Sequence, residues 1–134
     1  MSTRSRIGMI MEDGTVHSVY CHYDGYLAYN GEILNKYYNT PEKVKELISL
    51  GDISSLGKTT MFRDENDGDE CTRDYHRWRD EPINISVNSD VYDYEAHAYE
   101  CGEEYAYLFD GKRWMVQRPP RWESLEDVLI DDTL

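Results

Sequence analysis

The densest set of chemically competent side chains in this sequence is the segment 20–26, which reads Tyr-Cys-His-Tyr-Asp-Gly-Tyr. It places a thiol, an imidazole, a carboxylate and three phenols within seven positions. His22 with Asp24 is a pattern typical of an oriented general base. Cys21 beside His22 is a pattern typical of an activated nucleophile, although neighbouring residues of a continuing strand point to opposite faces. The segment therefore predicts a catalytic site or a ligand-binding site, with a purely structural strand end as the alternative.

Two arginines near the start of the chain, Arg4 and Arg6, supply the positive charge that a phosphorylated ligand at this segment would require. We expect them to lie next to the segment across the first hairpin. Because converging guanidinium groups hold phosphate by paired hydrogen bonds, this juxtaposition would suit a phosphate group. Neither common pattern of glycine-rich phosphate loop occurs in the sequence. The candidate ligand-binding residues are Arg4, Arg6, Tyr20, His22, Tyr23, Asp24 and Tyr26.

Two other groupings of side chains have simpler interpretations. Arg73, Arg77 and Arg79 form a cationic cluster, but acidic residues lie close to them in sequence, so internal ion pairs are favoured over a phosphate site. His97 and Cys101 are four residues apart and would share one face of a helix, as two metal ligands would. Structural zinc sites usually carry a Cys-x-x-Cys pair, and this sequence has none. We therefore expect no metal and no cofactor.

The charge balance excludes several classes of function. The 134 residues include 27 Asp and Glu against 14 Lys and Arg, for a formal net charge of −13. A DNA or RNA reader, or a polybasic membrane anchor, needs a basic face instead. No apolar run approaches the roughly 18 residues that cross a bilayer, and no secretion signal is recognisable. We expect no direct nucleic-acid binding, no membrane segment and a cytoplasmic protein, which three widely spaced cysteines also favour.

Most of the excess negative charge is concentrated in one acid-rich segment. Residues 63–104 hold 14 acids and four arginines, for a net charge of −10. Carboxylates spread over a rigid surface can imitate the phosphates of DNA and attract a basic protein. A solvated, solubilising surface is the alternative. The residues assigned to a protein-binding acidic surface are Asp64, Glu65, Asp67, Asp69 and Glu70.

Turn signals and hydrophobic periodicity predict the elements that must position these residues. Asp-Gly pairs at 13–14 and 110–111 each separate two extended runs, which is typical of a hairpin. Helices are predicted over residues 28–38, 41–50, 90–101 and 123–130, strands around 75–78 and 83–87, and a short turn over 52–57. The fold class is therefore α+β: a mainly antiparallel sheet from two or more hairpins, packed against three to four short helices. The length favours a single domain over residues 1–134.

Several strings of the sequence resemble a small family of proteins encoded by bacteriophages and prophages. The strings are TRSRIG at 3–8, DGTV at 13–16, YCHYDGY at 20–26, EKV at 42–44, LISLGDISSLG at 47–57 and EYAYLFDG at 104–111, with Gly31, Ile33, Leu34, Trp114 and, weakly, residues 75–77. The likeness covers both ends of the chain and residues 58–103 only loosely. This chain has Tyr23 where relatives usually have Trp, and Leu27 where they usually have Pro. The resemblance implies a phage context and no particular reaction.

Phage context favours an inhibitor of bacterial immunity, because small acidic phage proteins without catalysis often have that role. The leading hypothesis is a non-catalytic protein that blocks a host defence protein by stoichiometric binding in the host bacterial cytoplasm, with nucleic-acid mimicry as one mode. One alternative is a sponge that sequesters a nucleotide second messenger at Tyr20–Tyr26. Another is a small hydrolase that uses His22 and Asp24. The aromatic content is compatible with a homo-oligomer or with a thin, tyrosine-rich core.

Overall fold

One mixed sheet with helices on both faces forms the protein, so the α+β prediction is confirmed. A computed structural model describes residues 3–60, 71–118 and 121–132. The strands are β1 Ser5–Ile10, β2 Val16–Cys21, β3 Ile53–Ser55, β4 Arg73–Asp74, β5 Ser86–Asn88, β6 Tyr105–Phe109, β7 Trp114–Arg118 and β8 Arg121–Ser124. The helices are α1 Glu32–Tyr37, α2 Pro41–Ser49, α3 Tyr75–Arg79, α4 Val91–Glu100 and α5 Leu125–Asp132, and a π-helical turn over Leu27–Gly31 precedes α1.

The first hairpin, β1–β2, lies at the centre of the sheet, whose strand order is β4-β3-β2-β1-β6-β7-β8. β1 pairs antiparallel with β2 and parallel with β6, so that Arg6 lies opposite both Tyr20 and Ala106. Among the described strands, the pairings β1–β2, β2–β5, β3–β4, β6–β7 and β7–β8 are antiparallel. The sheet is therefore mainly antiparallel, as the two Asp-Gly turns indicate.

The outer edge of β2 is shared by two short strands. β5 pairs with the beginning of β2, and β3 pairs with its end. Asp52 fills the gap between them: its Oδ1 accepts from the Tyr20 amide at 2.9 Å and its Oδ2 from Asn84 Nδ2 at 2.7 Å. The backbone N–H of Asp52 donates to Asn84 O at 3.0 Å, and its carbonyl accepts from the Tyr75 amide at 3.2 Å. One residue thus joins β2, the segment before β5 and the start of α3.

The two faces of the sheet carry two separate hydrophobic clusters. Ile7, Val19 and Tyr107 are neighbours across three strands and belong to the larger cluster, which is covered by α1, α2 and α5. Because the side chains of successive strand residues point to opposite faces, the alternate residues of the same strands form the other face, which α4 covers. There Tyr94 lies over Gly8, where an added Cβ would stand 3.0 Å from the tyrosine ring. The smaller cluster consists of Val16, Tyr94, Ala98, Ala106 and Leu108.

Local capping signals account for the helices that were predicted correctly. At the start of α2, Thr40 Oγ1 accepts from the Lys43 amide at 3.3 Å, and Gly51, at φ +79°, follows the end of this helix. Asp90 Oδ1 accepts from the Asp93 amide at 2.8 Å at the start of α4. None of the described helices is long and apolar enough to cross a bilayer.

Three local predictions were wrong, because capping or strand pairing decides the structure in each case. Residues 75–79 are helical, since Asp74 caps them by accepting from the Arg77 amide at 3.1 Å. Ile53–Ser55 is a strand because it completes the edge of β2. The last helix begins at Leu125 and not at residue 123, since residues 121–124 pair with β7.

Candidate functional site

The segment 20–26 spans the end of β2 and the turn that follows it, and its side chains divide between the two faces of the sheet. Tyr20 and His22 share one face, where Tyr20 Oη lies 2.6 Å from His22 Nδ1. The His22 ring also makes an edge contact with Tyr23, with centroids 4.5 Å apart. Burial raises the pKa of Tyr20, and the nearby Arg4 guanidinium opposes part of that rise. The hydrogen bond that orients the imidazole therefore comes from a phenol and not from Asp24.

Cys21 lies on the opposite face and belongs to the larger hydrophobic cluster. Its Sγ accepts from Asn30 Nδ2 at 3.3 Å and donates to Tyr23 O at 3.5 Å. Burial raises the pKa of the Cys21 thiol to about 11. A buried thiol with a raised pKa is a poor nucleophile, so the arrangement does not form a Cys-His dyad.

Residues 23–26 form a turn that is held by backbone contacts. Asp24 has a positive φ of 58°, and Gly25 approaches the first strand so closely that an added Cβ would lie 2.7 Å from Thr3 O. Tyr107 Oη donates to Gly25 O at 2.7 Å. Tyr23 and Tyr26 remain 46% and 41% exposed. The turn therefore presents two phenol rings from a fixed backbone.

Arg4 and Arg6 have different environments, although they are only two residues apart. Arg6 is 5% exposed; its Nε donates to Glu103 Oε1 at 2.8 Å, and one terminal nitrogen donates to Ser18 Oγ and Ser86 Oγ, each at 3.2 Å. This side chain is committed to an internal ion pair. Arg4 is exposed, and its guanidinium lies near the Tyr20 hydroxyl.

The cationic cluster before β5 is also engaged internally. Arg77 pairs with Asp74, donates to Thr60 O at 2.9 Å and to Thr72 O at 3.1 Å, and lies beside the Trp78 ring. Arg79 lies 5.0 Å from the ring centroid of Tyr75. The interpretation as internal pairing is therefore confirmed for Arg77 and Asp74.

Neither the possible metal ligands nor the acidic surface forms a site among the described residues. Within residues 3–60, 71–118 and 121–132, no three His, Cys, Asp or Glu side chains converge as metal ligands would. His97 Nδ1 instead lies 3.4 Å from Asn88 Oδ1. The five carboxylates assigned to an acidic surface, Asp64, Glu65, Asp67, Asp69 and Glu70, lie outside the described residues.

A groove beside α4 was not foreseen from the sequence. It has a volume of about 390 Å³ and is bordered by Tyr92 and Tyr99, which are 79% and 78% exposed. The carboxylates in its lining belong to Glu95, Glu103 and Glu104. The tyrosines are seven residues apart on a helix, which places them on one face, and that spacing was the signal available in the sequence.

A second cavity, of about 270 Å³, lies between α1, α2 and the segment after β3. Lys36, Lys43 and Lys58 line it, together with Tyr37. The three lysines are scattered over 23 positions, so only the fold brings them together.

No family model, curated protein or solved structure matches this chain, so the function has to be argued from the groove, the cavity and the segment 20–26 themselves.

Proposed function

We propose that this protein is a non-catalytic binding protein that attaches stoichiometrically to a basic surface of a partner protein through α4. The observation that carries the proposal is the pair of exposed tyrosines, Tyr92 and Tyr99, beside a groove lined by three glutamates. The segment 20–26 supports the non-catalytic part of the proposal, because its thiol is buried and its histidine is oriented by a phenol.

Tyr92 and Tyr99 have the features of interface anchors. Seven residues of α-helix separate them by about 10 Å along the axis, so both rings can contact one partner surface. Tyrosine is enriched among residues that dominate binding energy, because a large rigid ring is buried at a small entropic cost. Two such rings exposed on one helix face therefore supply the hydrophobic centre of an interface of ordinary size.

The glutamates beside these rings favour a cationic partner. Glu103 lines the groove, and while its Oε1 accepts from Arg6, its Oε2 is buried with no hydrogen-bond partner among the described residues. Because the Glu103 side chain is buried and paired with Arg6, the charge that a partner meets in the groove comes from the other two glutamates. Glu95 and Glu104 add negative charge at the same place. The groove therefore has the charge that a basic protein surface would complement.

The sequence resemblance supplies the biological setting of the proposal. In a phage context, the partner is a host defence protein, and binding blocks that protein in the bacterial cytoplasm. A nucleic-acid-binding defence protein has the basic surface that α4 would cover. The acid-rich segment 63–104, with its net charge of −10, would steer the association electrostatically.

The test compares three versions of the full chain as bait in a lysate of the bacterial host. These are the wild type, a double variant Tyr92→Ser/Tyr99→Ser, and a matched control Tyr23→Ser/Tyr26→Ser that removes two exposed phenols elsewhere. The captured protein is then purified and titrated against each version by calorimetry at low and high salt. We expect 1:1 binding that weakens with salt, a loss of about tenfold or more in the α4 variant, and little change in the control.

Two results would overturn the proposal. One is a partner that binds the α4 variant as tightly as the wild type, and the other is binding that is indifferent to salt. Release of an intact nucleotide from the purified protein on heat denaturation, with no protein partner, would favour the nucleotide sponge. A cleaved product that disappears in His22→Ala would favour the hydrolase.

A further inference from the structure

We infer that the cavity between α1 and α2 is a binding site for a small phosphorylated molecule. It is distinct from the α4 groove and independent of the proposed protein partner. Three of the five lysines of the chain, Lys36, Lys43 and Lys58, line this one cavity of about 270 Å³. In a protein with a net charge of −13, such a concentration of positive charge runs against the average field of the molecule.

Two of the three lysines lie beside one aromatic ring. Lys36 Nζ lies 5.4 Å and Lys58 Nζ 5.7 Å from the ring centroid of Tyr37. Among the described residues, no carboxylate pairs with Lys36, Lys43 or Lys58. Like charges held near one another without a counterion repel, and a multivalent anion between them would remove that repulsion.

One carboxylate, that of Glu46, lines the cavity among the described residues. Glu46 Oε1 accepts from Thr60 Oγ1 at 2.6 Å, a hydrogen bond within the lining itself. The described part of the lining therefore contains three cations and one anion, and positive charge is in excess there.

Hydrogen bonds of Tyr38 connect the backbone beside Lys36 to other elements of the fold. Tyr38 is 2% exposed, and its Oη donates to Gly57 O at 2.7 Å and lies 3.2 Å from Thr72 Oγ1. Thr72 Oγ1 in turn accepts from the Gly57 amide at 2.9 Å. Trp114 Nε1 donates to Tyr38 O at 2.8 Å. These bonds tie the end of α1 to the segment after β3 and to the sheet.

Another cavity adjoins the cavity between α1 and α2 and would hold the uncharged part of the ligand. It has a volume of about 300 Å³ and shares Lys36, Tyr37 and Lys58 with the first. The other described lining residues are Ala28, Tyr29, Glu32 and Ile33, which supply an aromatic ring, two aliphatic side chains and one carboxylate. A phosphate among the lysines would thus lie beside a slot for a planar or apolar group, as in a nucleoside monophosphate.

The test titrates the full chain with inorganic pyrophosphate and with AMP, followed by amide chemical shifts. The variant Lys36→Gln/Lys58→Gln removes the two ammonium groups at Tyr37. The matched control Lys45→Gln/Lys112→Gln removes the same charge from other parts of the surface. We expect saturable pyrophosphate binding to the wild type, with shifts at residues 36–38 and 57–60. The dissociation constant should rise about tenfold or more in the first variant and less than about twofold in the control.

The outcomes separate a built site from general electrostatics. Absence of saturable binding to the wild type, or an equal loss in both variants, would overturn the inference. If AMP binds more tightly than pyrophosphate and Tyr29→Ala removes the difference, the adjoining cavity holds the organic group. If AMP binds no more tightly, that part of the inference is wrong. Shifts confined to α4 would place the anion elsewhere and overturn it entirely.

Discussion

The ion pair between Arg6 and Glu103 gives a structural role to Arg6, a residue that the sequence suggested as a ligand-binding residue. Both side chains are buried, and the hydrogen bond between them joins the first strand to the segment after α4. Burial raises the pKa of Glu103, and the guanidinium opposes only part of this effect. The pair is therefore sensitive to removal of either partner, since the other would remain charged and buried.

We predict that Arg6→Met lowers the free energy of unfolding by about 3–5 kcal/mol at pH 7, because Glu103 is left ionised without a partner. The deficit should shrink as the pH falls. Since the pKa of Glu103 is raised in the folded state, the folded protein takes up the proton first, and a neutral carboxyl no longer needs the cation. Urea denaturation of wild type and variant at pH 7 and pH 5 checks this.

The control for that prediction is the double variant Arg6→Met/Glu103→Gln, which has no ionisable group at this position. At pH 7 the double variant should lose less unfolding free energy, relative to wild type, than Arg6→Met loses. Its own loss should not depend on the protonation of residue 103. A deficit of Arg6→Met that is constant between pH 7 and pH 5 would contradict the assignment of the effect to Glu103.

The three cysteines should differ sharply in reactivity. Cys21 and Cys71 are buried, Cys101 is exposed, and the Cys21 pKa is raised to about 11. At pH 8 only about one Cys21 thiol in a thousand is ionised, and it is also inaccessible. We predict that one thiol per chain reacts rapidly with an aromatic disulfide reagent in the folded protein, and three in urea. Cys101→Ser should abolish the rapid phase, whereas rapid labelling of that variant would contradict the burial of Cys21 or Cys71.

At the scale of elements, Asp52 holds together the shared edge of β2. It accepts from the Tyr20 amide and from Asn84, and its loss would leave both donors without these partners. We predict that Asp52→Ala lowers the free energy of unfolding by about 1–3 kcal/mol and increases hydrogen exchange at the Tyr20 amide. Glu12→Ala, an exposed change in the first turn, is the control and should do neither. Unchanged exchange at Tyr20 would show that β3 and β5 keep their places without Asp52.

The elements that could be predicted are those whose signals are local. The Asp-Gly turns specify both hairpins, and Thr40-Pro41 specifies the start of α2. Each of these signals acts on residues no more than about four positions away in the sequence. Ile53–Ser55 depends on the free edge of β2, which the sequence near it does not describe, whereas Ser86–Asn88 overlaps the strand predicted around 83–87. The parallel pairing of β1 with β6 joins residues about one hundred positions apart and has no local signal.

The candidate site shows the same division. The helix that carries Tyr92 and Tyr99 was predicted, since α4, Val91–Glu100, lies within the predicted range 90–101. The groove needs β6 and β7 beneath that helix, so it could not be predicted. The cavity between α1 and α2 likewise depends on the segment after β3, which was expected to be a turn.

At the scale of the whole molecule, the fold separates charge of opposite sign. The glutamates beside α4 lie in the acid-rich segment, whereas Lys36, Lys43 and Lys58 lie between α1 and α2, which cover the other face of the sheet. The net charge of −13 therefore does not describe either candidate site by itself. A basic protein and a phosphorylated small molecule can each meet a local field suited to it.

The net charge still governs the stability of the whole chain. At pH 7 a charge of −13 is compressed into one domain on folding, so repulsion opposes the compact state. Sodium chloride screens exposed charges, because the Debye length falls from about 20 Å at 20 mM to about 6 Å at 300 mM. We predict that this change raises the free energy of unfolding by about 1 kcal/mol, or Tm by about 4 °C. Differential scanning calorimetry over this salt range provides the measurement.

The same scan near the isoelectric point separates screening from other effects of salt. At pH 4.6 the chain carries almost no net charge, so the repulsive contribution to its stability is small. Added sodium chloride should then leave Tm nearly unchanged, because surface attractions and repulsions are screened together. An equal rise in Tm at both pH values would contradict the electrostatic explanation and would indicate general salt exclusion from apolar surface.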